Sequence, residues 1–292
     1  MADTLLPSLA PRPDIHRTPT GGSGLVVQRS LPLGERLYNM SGLRKVFLLI
    51  ALAVIWEAYA RWVDNELLFP TFTATIQAML TNIANGVLPA RIWVSLRILL
   101  MGYGVGIAVA AALTCVAVGF RLGADLLEVL TAMFNPLPAI ALLPLAMIWF
   151  GLGTGSLVFV LAHSVVWAVA LNAHSGFLSV PRTLRMLGRN YNLHGIRYIR
   201  KILVPAAFPH ILTGLKIAWA FAWRTLIAAE LVFGVSSGKG GLGWFIYEHK
   251  NSLDIPAVFA GLLTVIGIGL LVENLIFKVI ENRTIVRWGL QS

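Results

Sequence analysis

The feature of this sequence that most limits its fold is a long stretch without charge. Between Glu128 and Arg182 the chain contains no Asp, Glu, Lys or Arg. A helix needs about 20 mostly apolar residues to cross a bilayer, because lipid offers its backbone no hydrogen-bonding partner. The stretch is therefore long enough for two membrane-spanning helices. Gly151, Gly153 and Gly155 lie near its middle and predict a tight turn between them.

The rest of the chain shares this character. Hydrophobic residues make up 57% of the 292 residues, charged residues only 12%, and the mean hydropathy is +0.77. A soluble domain carries about 25% charged residues, because its surface must remain in water. Further spans are predicted at residues 46–63, 98–120, 209–234 and 255–277. Together with the uncharged stretch, they predict an all-α integral membrane fold with about six transmembrane helices.

Several segments depart from regular spanning helices. Asn135, Pro136, Pro138 and Pro144 predict an irregular first helix in the uncharged stretch, which a membrane protein tolerates where that helix packs on protein. Residues 67–90 are interpreted as an interfacial helix and loop, and residues 234–254 as a polar, glycine-rich loop. Residues 1–42 are rich in Pro, Gly, Ser and Thr without periodicity. They predict a disordered cytoplasmic tail ahead of a membrane domain at 43–292.

Small residues inside the second predicted span indicate how it packs. Gly102, Gly104 and Gly106 do not have the spacing of a dinucleotide-binding motif, and they favour close helix packing instead. Cys115, the single cysteine, cannot form an internal disulfide or a metal cluster, so we expect a small buried side chain.

The distribution of Lys and Arg predicts the orientation. The net charge is +10, and most basic residues fall in the N-terminal tail, in residues 182–201 and after the last span. Cytoplasmic loops carry this excess, so both termini are predicted to be cytoplasmic. The basic residues are not interleaved with stacking aromatics on a polar scaffold, which argues against nucleic-acid binding.

The basic interval from 181 to 205 contains six basic residues and no acid. On composition alone it is compatible with a solvated loop or with a helix pair that transmits force from a soluble partner. Residues 186–193, followed by Pro205, resemble the "EAA" loop of permeases of binding-protein-dependent ABC importers, in the nitrate, sulfonate and taurine branch. Ordered matches at Trp56-Glu57, residues 69–71, 149–153, 228–230 and 240–243 extend the resemblance over residues 46–287.

The resemblance implies a type I ABC importer permease (MetI-like) fold in a bacterial inner membrane. It implies that ABC ATPase subunits, a second permease copy or paralogue and an extracytoplasmic substrate-binding protein are partners. ATP hydrolysis would then occur on a separate subunit, and no cofactor or metal is expected in this chain. The residues it implies for ATPase coupling are Met186, Leu187, Gly188, Arg189, Asn192, Leu193 and Pro205.

Two positions depart from that loop pattern. Met186 stands where the family usually has glutamate, and Asn192 where it usually has glycine. Asn is the next-best residue for a left-handed backbone, so the turn is predicted to survive. The missing acid puts the strength or symmetry of coupling in doubt.

Three charged residues fall within the fifth span, Lys216, Arg224 and Glu230, where charge is costly and usually functional. Arg224 and Glu230 are six residues apart, about 120° around a helix, so they do not share one face. We hypothesise that Arg224 faces the pathway and favours anions, and that Glu230 anchors helix packing or an outer gate. The alternative is that both form structural pairs, for example with Lys216 or buried amides. The predicted pathway residues are Asn135, Pro138, Trp223, Arg224 and Glu230.

Two other classes of function were weighed. A self-sufficient secondary transporter or channel predicts an internal inverted repeat, which is not evident here. An intramembrane enzyme needs paired acids or a metal triad inside the spans, and the sequence lacks both. The substrate stays open among nitrate, sulfonates, taurine, bicarbonate, aromatic acids and thiamine precursors.

Overall fold

A computed structural model describes residues 41–233 and 240–286. The predicted N-terminal tail, apart from its last two residues, and the glycine-rich segment 234–239 lie outside this part. The chain divides into two units at Leu52, and the first contributes the initial half of helix α1 (Ser41–Val63). Large apolar side chains in that half, such as Phe47, are exposed, as suits a surface in contact with lipid. All packing described below lies within residues 53–286.

The described residues are helical throughout, with short connections and no strand. After α1 the helices are α2 (Phe72–Ala84), α3 (Val87–Gly119), α4 (Arg121–Phe134), α5 (Leu143–Phe150), α6 (Thr154–Leu178), α7 (Arg182–Asn190), α8 (Gly195–Tyr198), α9 (Val204–Phe233), α10 (Leu242–Asn251), α11 (Ile255–Leu271) and α12 (Lys278–Glu281). A π-helical turn (Ile199–Leu203) joins α8 to α9, and another (Val272–Phe277) joins α11 to α12.

In the described part of the chain, five helical segments are long and apolar enough to cross a membrane: Gly42–Val63, Val87–Gly119, Thr154–Leu178, Ile199–Val232 and Ile255–Ile285. A sixth span exists if Arg121–Phe134 and Ala139–Phe150 count as one broken helix, bent by 86°. The break falls at Asn135 and the prolines that follow, so the predicted irregularity is confirmed. Gly151, with φ 73°, turns the chain between α5 and α6, as the glycine spacing predicted.

Helix α6 lies at the centre of the second unit and packs most extensively against α3 and α9. A Cβ at Gly106 would lie 2.6 Å from the Cβ of Val165, and one at Gly102 would overlap Leu161. Close packing is therefore confirmed at these two positions. At Gly104 a Cβ would meet open space, so the prediction is wrong there.

The expectation for Cys115 is also wrong, because its side chain is exposed. Its neighbours Thr114 and Ala117 are the residues of that turn that face the interior. A helix turns each residue by about 100°, so Cys115 falls on the outer face.

Two predicted boundaries differ from the structure. Helix α3 begins at Val87 rather than near residue 98, so Arg91 lies inside the helix. The Arg91 side chain is accommodated there because it forms hydrogen bonds with residues 240 and 248. The segment 234–254, predicted to be a loop, contains helix α10. The first N–H groups of a helix lack intrahelical partners. Those of Leu242 and Gly243 are satisfied by side chains from α3 and α9. A local sequence pattern cannot reveal such distant caps.

Candidate coupling loop and translocation cavity

The basic interval forms two short helical elements that follow the end of α6. Arg185 of α7 donates from its Nη2 to the carbonyl of Phe177 at 2.9 Å and from its Nε to that of Val180 at 3.3 Å. Phe177 lies in the last turn of α6 and Val180 just after its end, where backbone acceptors lack helical partners. Arg185 therefore ties α7 to the end of α6.

The turn between α7 and α8 has the left-handed backbone that was predicted. Asn192 has φ 53°, and the N–H of Leu193 donates to the carbonyl of Gly188 at 2.9 Å. Asn accepts this conformation at lower cost than most residues with a Cβ. The prediction that the turn survives without glycine at this position is confirmed.

Gly188 is the point where α7 and the second half of the loop meet. It is buried, and a Cβ there would lie 2.6 Å from Cε2 of Tyr198. By contrast, Met186 is 59% and Leu187 43% exposed. The loop therefore offers apolar side chains to its surroundings while a glycine holds its two halves together.

The second half of the loop continues into α9 without a break in helical structure. Residues 195–198, the π-helical turn and α9 follow one another directly, and Pro205, half-buried, lies in the first turn of α9. Proline has no N–H to donate, and it lies just after the π-helical turn, where the regular α-helical hydrogen-bond pattern is already interrupted. A displacement of the loop would consequently act on α9 directly.

A cavity of about 370 Å³ lies between the α4–α5 break, the middle of α6 and α9. Its lining includes Asn135, Pro138, His163, Ser164, Trp167, Phe221, Arg224 and Thr225. The helix break therefore does more than bend the chain, since it forms one wall of the cavity. Three of the predicted pathway residues, Asn135, Pro138 and Arg224, come together here.

Arg224 carries the cavity's positive charge. Its Nε donates to the carbonyl of Ala220 at 3.1 Å, and its Cζ lies 5.1 Å from the centre of the Phe221 ring. Among the described residues, no carboxylate lies within salt-bridge distance of it. The N–H groups of both terminal nitrogens remain to bind an anion.

The α6 side of the cavity is aromatic. Trp167 stacks on Phe134 with ring centres 5.5 Å apart and planes within 10°, and His163 meets both rings edge-on. Neither ring nitrogen of His163 nor Nε1 of Trp167 has a hydrogen-bond partner in the described ranges, although all three atoms are buried. A buried polar atom without a partner costs about 1–3 kcal/mol. These α6 residues were not predicted as pathway residues; the only signal was a histidine in an apolar span.

The remaining two predicted pathway residues do not line this cavity. Trp223 is 6% exposed and donates from Nε1 to the carbonyl of Val265 in α11 at 3.2 Å. It lies beside Arg224 in sequence, but successive helical residues point about 100° apart. Its described contacts are those of a packing residue.

Glu230 is buried, 3% exposed, in a cluster that joins three helices. Ser95 Oγ of α3 lies 2.8 Å from both of its carboxyl oxygens, and the N–H of Gly243 in α10 donates to Oε2 at 2.8 Å. Ser95 Oγ in turn accepts the N–H of Leu242 at 2.8 Å. A Cβ at Gly241 would overlap both Ser95 and Glu230. We call Glu230, Ser95 and residues 241–243 the Glu230 cluster.

Arg91 extends this junction towards the surface. It donates to the carbonyl of Gly240 at 2.8 Å and forms a salt bridge with Glu248 at 3.0 Å. The Glu230 cluster matches the packing role proposed for that residue and the alternative of pairing with buried amides. Ser95 and Arg91 were not predicted, because a serine and an arginine near the end of an apolar helix carry no distinctive pattern.

Lys216 pairs with neither intramembrane charge of α9. Its Nζ lies 2.5 Å from Oε2 of Glu281 in α12, and both side chains are partly exposed. Near the end of α1, Arg61 forms a salt bridge with Glu57, four residues earlier, at 2.7 Å.

Sequence comparisons agree with this architecture. Residues 102–286 match the family of binding-protein-dependent transport system inner membrane components. A probable ABC transporter permease protein of Brucella melitensis is 28% identical over 230 residues, which cover 79% of this chain and 91% of that protein. The nitrate import permease protein NrtB of Synechocystis sp. is 32% identical over 190 residues, which cover 59% of this chain and 68% of that protein. The putative aliphatic sulfonates transport permease protein SsuC of Escherichia coli is 25% identical over 245 residues, which cover 83% of this chain and 90% of that protein.

The matched region contains both the candidate coupling loop and the cavity, and it begins at the glycines of α3 that pack on α6. The predicted resemblance is confirmed, and the alternative of a self-sufficient channel or secondary transporter is not favoured. The chain belongs to the family of binding-protein-dependent transport system inner membrane components, as a multi-pass transmembrane permease subunit of an ABC importer with the all-α MetI-like fold.

Proposed function

We propose that this permease moves a small anion through the Arg224 cavity, driven by ATP hydrolysis on a separate subunit that engages residues 186–193. The observation that carries the proposal is an arginine in a spanning helix that faces a cavity and has no carboxylate partner among the described residues. A charge without an opposite partner in a membrane-spanning segment is costly and usually functional. Two relatives are named for nitrate and for aliphatic sulfonates, which are both anions.

The orientation follows from the basic residues. The excess of Lys and Arg in residues 182–201 favours the cytoplasmic side of the inner membrane for α7 and α8, together with both termini. The number of spans, taken as six, supports this arrangement. Helix α10 and the Glu230 cluster would then lie near the opposite surface, where an extracytoplasmic substrate-binding protein docks.

Coupling would act through the exposed tip of α7. Met186 and Leu187 present apolar surface, and Gly188 holds this tip against Tyr198. Arg189 lies next in α7, and Leu193 closes the turn. An ATPase that moves the tip therefore moves α8 and, through the continuous helix, α9. Because α9 carries Arg224, the same motion would open the cavity to alternate sides, with a second permease copy or paralogue completing the pathway.

The test uses the full chain co-expressed with its ATPase, partner permease and binding protein, and reconstituted in liposomes. We expect uptake of radiolabelled anion that requires ATP and all subunits. Gly188→Val should reduce uptake at least about tenfold, because the new side chain displaces Tyr198 and separates the loop halves. Gly104→Val is the matched control, since a Cβ at Gly104 meets open space.

Two outcomes would overturn the proposal. One is uptake by this chain alone in liposomes without ATP, which is the behaviour of a channel or secondary transporter. The other is full ATP-dependent uptake in the Gly188→Val complex, which would remove the loop from the coupling path.

A further inference from the structure

The cavity has features that a site for a small inorganic anion does not need. We infer that it takes an organic anion with a flat aromatic body, an aromatic carboxylate or sulfonate, in preference to nitrate or an aliphatic anion. This inference rests on the proposed function, because it assigns a substrate class to the cavity proposed as the pathway.

The charged end of such a ligand fits Arg224. With Nε engaged by Ala220, the terminal nitrogens offer two parallel N–H groups. This fork matches two oxygens of a carboxylate or sulfonate. The guanidinium also makes a cation–π contact with the Phe221 ring, which stabilises its position. Arg224 alone does not discriminate, since nitrate also presents two oxygens in a plane.

The discrimination comes from the α6 wall. The Trp167 ring lines the cavity, and its parallel stacking on Phe134 fixes the plane of the indole. A second flat ring placed in the cavity would gain contact with Trp167 and Phe221 and would bury apolar surface. Nitrate or methanesulfonate gains almost none of this, yet has to give up its hydration to reach the same arginine.

Polar atoms in the same wall are suited to ring substituents. His163 and Trp167 together have three buried nitrogen atoms without a partner among the described residues. Small rotations of these side chains would let a hydroxyl or second acidic group on the ligand pair with them. Ser164 and Thr225 add hydroxyl groups to the lining.

The size of the cavity agrees with this class. The part formed by this chain alone has a volume of about 370 Å³, already within the roughly 300–1,000 Å³ of sites for organic ligands, before a second permease bounds its exposed side. An inorganic anion would fill a small part of it, and the remaining space would hold water that weakens the attraction to Arg224.

The experiment measures equilibrium binding to the assembled transporter complex in lipid nanodiscs, without the substrate-binding protein. The probe is radiolabelled benzenesulfonate, and the competitors are methanesulfonate and nitrate. The two sulfonates carry the same charged group and differ in the ring. We expect benzenesulfonate to bind at least about tenfold more tightly than either competitor.

Variants locate the binding. Trp167→Leu should reduce the preference for benzenesulfonate over methanesulfonate to within about threefold, because the stacking surface is lost. Arg224→Gln should weaken binding of both sulfonates about tenfold or more. Trp93→Leu is the matched control, because Trp93 is 67% exposed and lies outside the cavity, and we expect it to change neither value.

The inference is overturned if methanesulfonate or nitrate binds the parent complex as tightly as benzenesulfonate, if no anion binds, or if the Trp167 and Arg224 variants bind like the parent. Co-elution of the variants with the ATPase subunit checks that they assemble, and Arg224→Lys, which keeps the charge without the fork, should lose less affinity than Arg224→Gln. ATP-driven uptake of nitrate without a preference for aromatic anions would reject this substrate class and leave the proposed function intact.

Discussion

Helix α9 carries two charged residues six positions apart whose surroundings are opposite. Glu230 is buried and satisfied, with a hydroxyl and a backbone N–H aimed at its carboxyl oxygens. Arg224 is exposed and lines a cavity, and among the described residues only its Nε donates a hydrogen bond to the protein. In the sequence the two residues cannot be distinguished, because each is a charged residue in an apolar span. Their partners separate them: Glu230 is part of the scaffold, and Arg224 is available to a ligand.

The largest effect is expected from removing the Glu230 carboxyl group. Glu230→Ala leaves the N–H of Gly243 and the hydroxyl of Ser95 without their acceptor and opens a small void. We expect the free energy of unfolding to fall by on the order of 3 kcal/mol. Equilibrium unfolding of the purified chain in mixed micelles measures this change.

Glu248→Ala is the control for that measurement, because it removes an exposed salt bridge to Arg91 near the same junction. Its expected effect is under about 1 kcal/mol. If the two variants unfold alike, the Glu230 cluster is not the structural centre of this junction, and the contrast with Arg224 disappears.

A glutamine at each position sharpens the comparison. Glu230→Gln keeps an acceptor for Gly243 and a polar group beside Ser95, so most of the stability lost in the alanine variant should return. Arg224→Gln removes the charge from the cavity and breaks no salt bridge among the described residues. We expect unchanged unfolding and anion uptake reduced about tenfold, which corresponds to about 1.4 kcal/mol in the transport barrier.

The measurement pairs unfolding in mixed micelles with ATP-dependent uptake in liposomes for both variants. Normal uptake by Arg224→Gln would contradict a pathway role. Loss of uptake by a stably assembled Glu230→Gln complex would also break the contrast, since it would show that the charge of Glu230, rather than its hydrogen bonds, is required.

Much of this architecture could be predicted from local pattern. Of the two spans predicted in the uncharged stretch, α6 is one unbroken helix, whereas the other begins at Arg121 and is a single span only if its two bent parts are counted together. The prolines after Asn135 predicted the break in that span, and the loop spacing predicted the turn at Asn192. Each of these depends on residues close together in the chain. Helix α10 could not be predicted in this way, because its first N–H groups are capped by Ser95 and Glu230, which are distant in sequence.

The cavity residues likewise include some that the sequence could predict and some that it could not. Arg224 and Asn135 were predicted because a charge or a helix breaker in a membrane span is conspicuous. Trp167 was not predicted, since a tryptophan in an apolar helix looks the same whether it faces lipid, core or cavity. Only the fold shows that it stacks on Phe134 at the edge of the cavity.

The smallest effect is expected from the third charge of α9. Lys216 and Glu281 form a partly exposed salt bridge that links α9 to α12. Lys216 is therefore less buried than Glu230 and, unlike Arg224, is paired with a carboxylate among the described residues. Lys216→Met keeps most of the side-chain length and removes the charge. Because a partly solvated ion pair contributes about 0–1 kcal/mol, we expect unfolding to shift by less than about 1 kcal/mol and uptake to stay within about twofold. A loss of uptake comparable to that of Arg224→Gln would place Lys216 on the anion's route and extend the functional part of α9 by two helical turns.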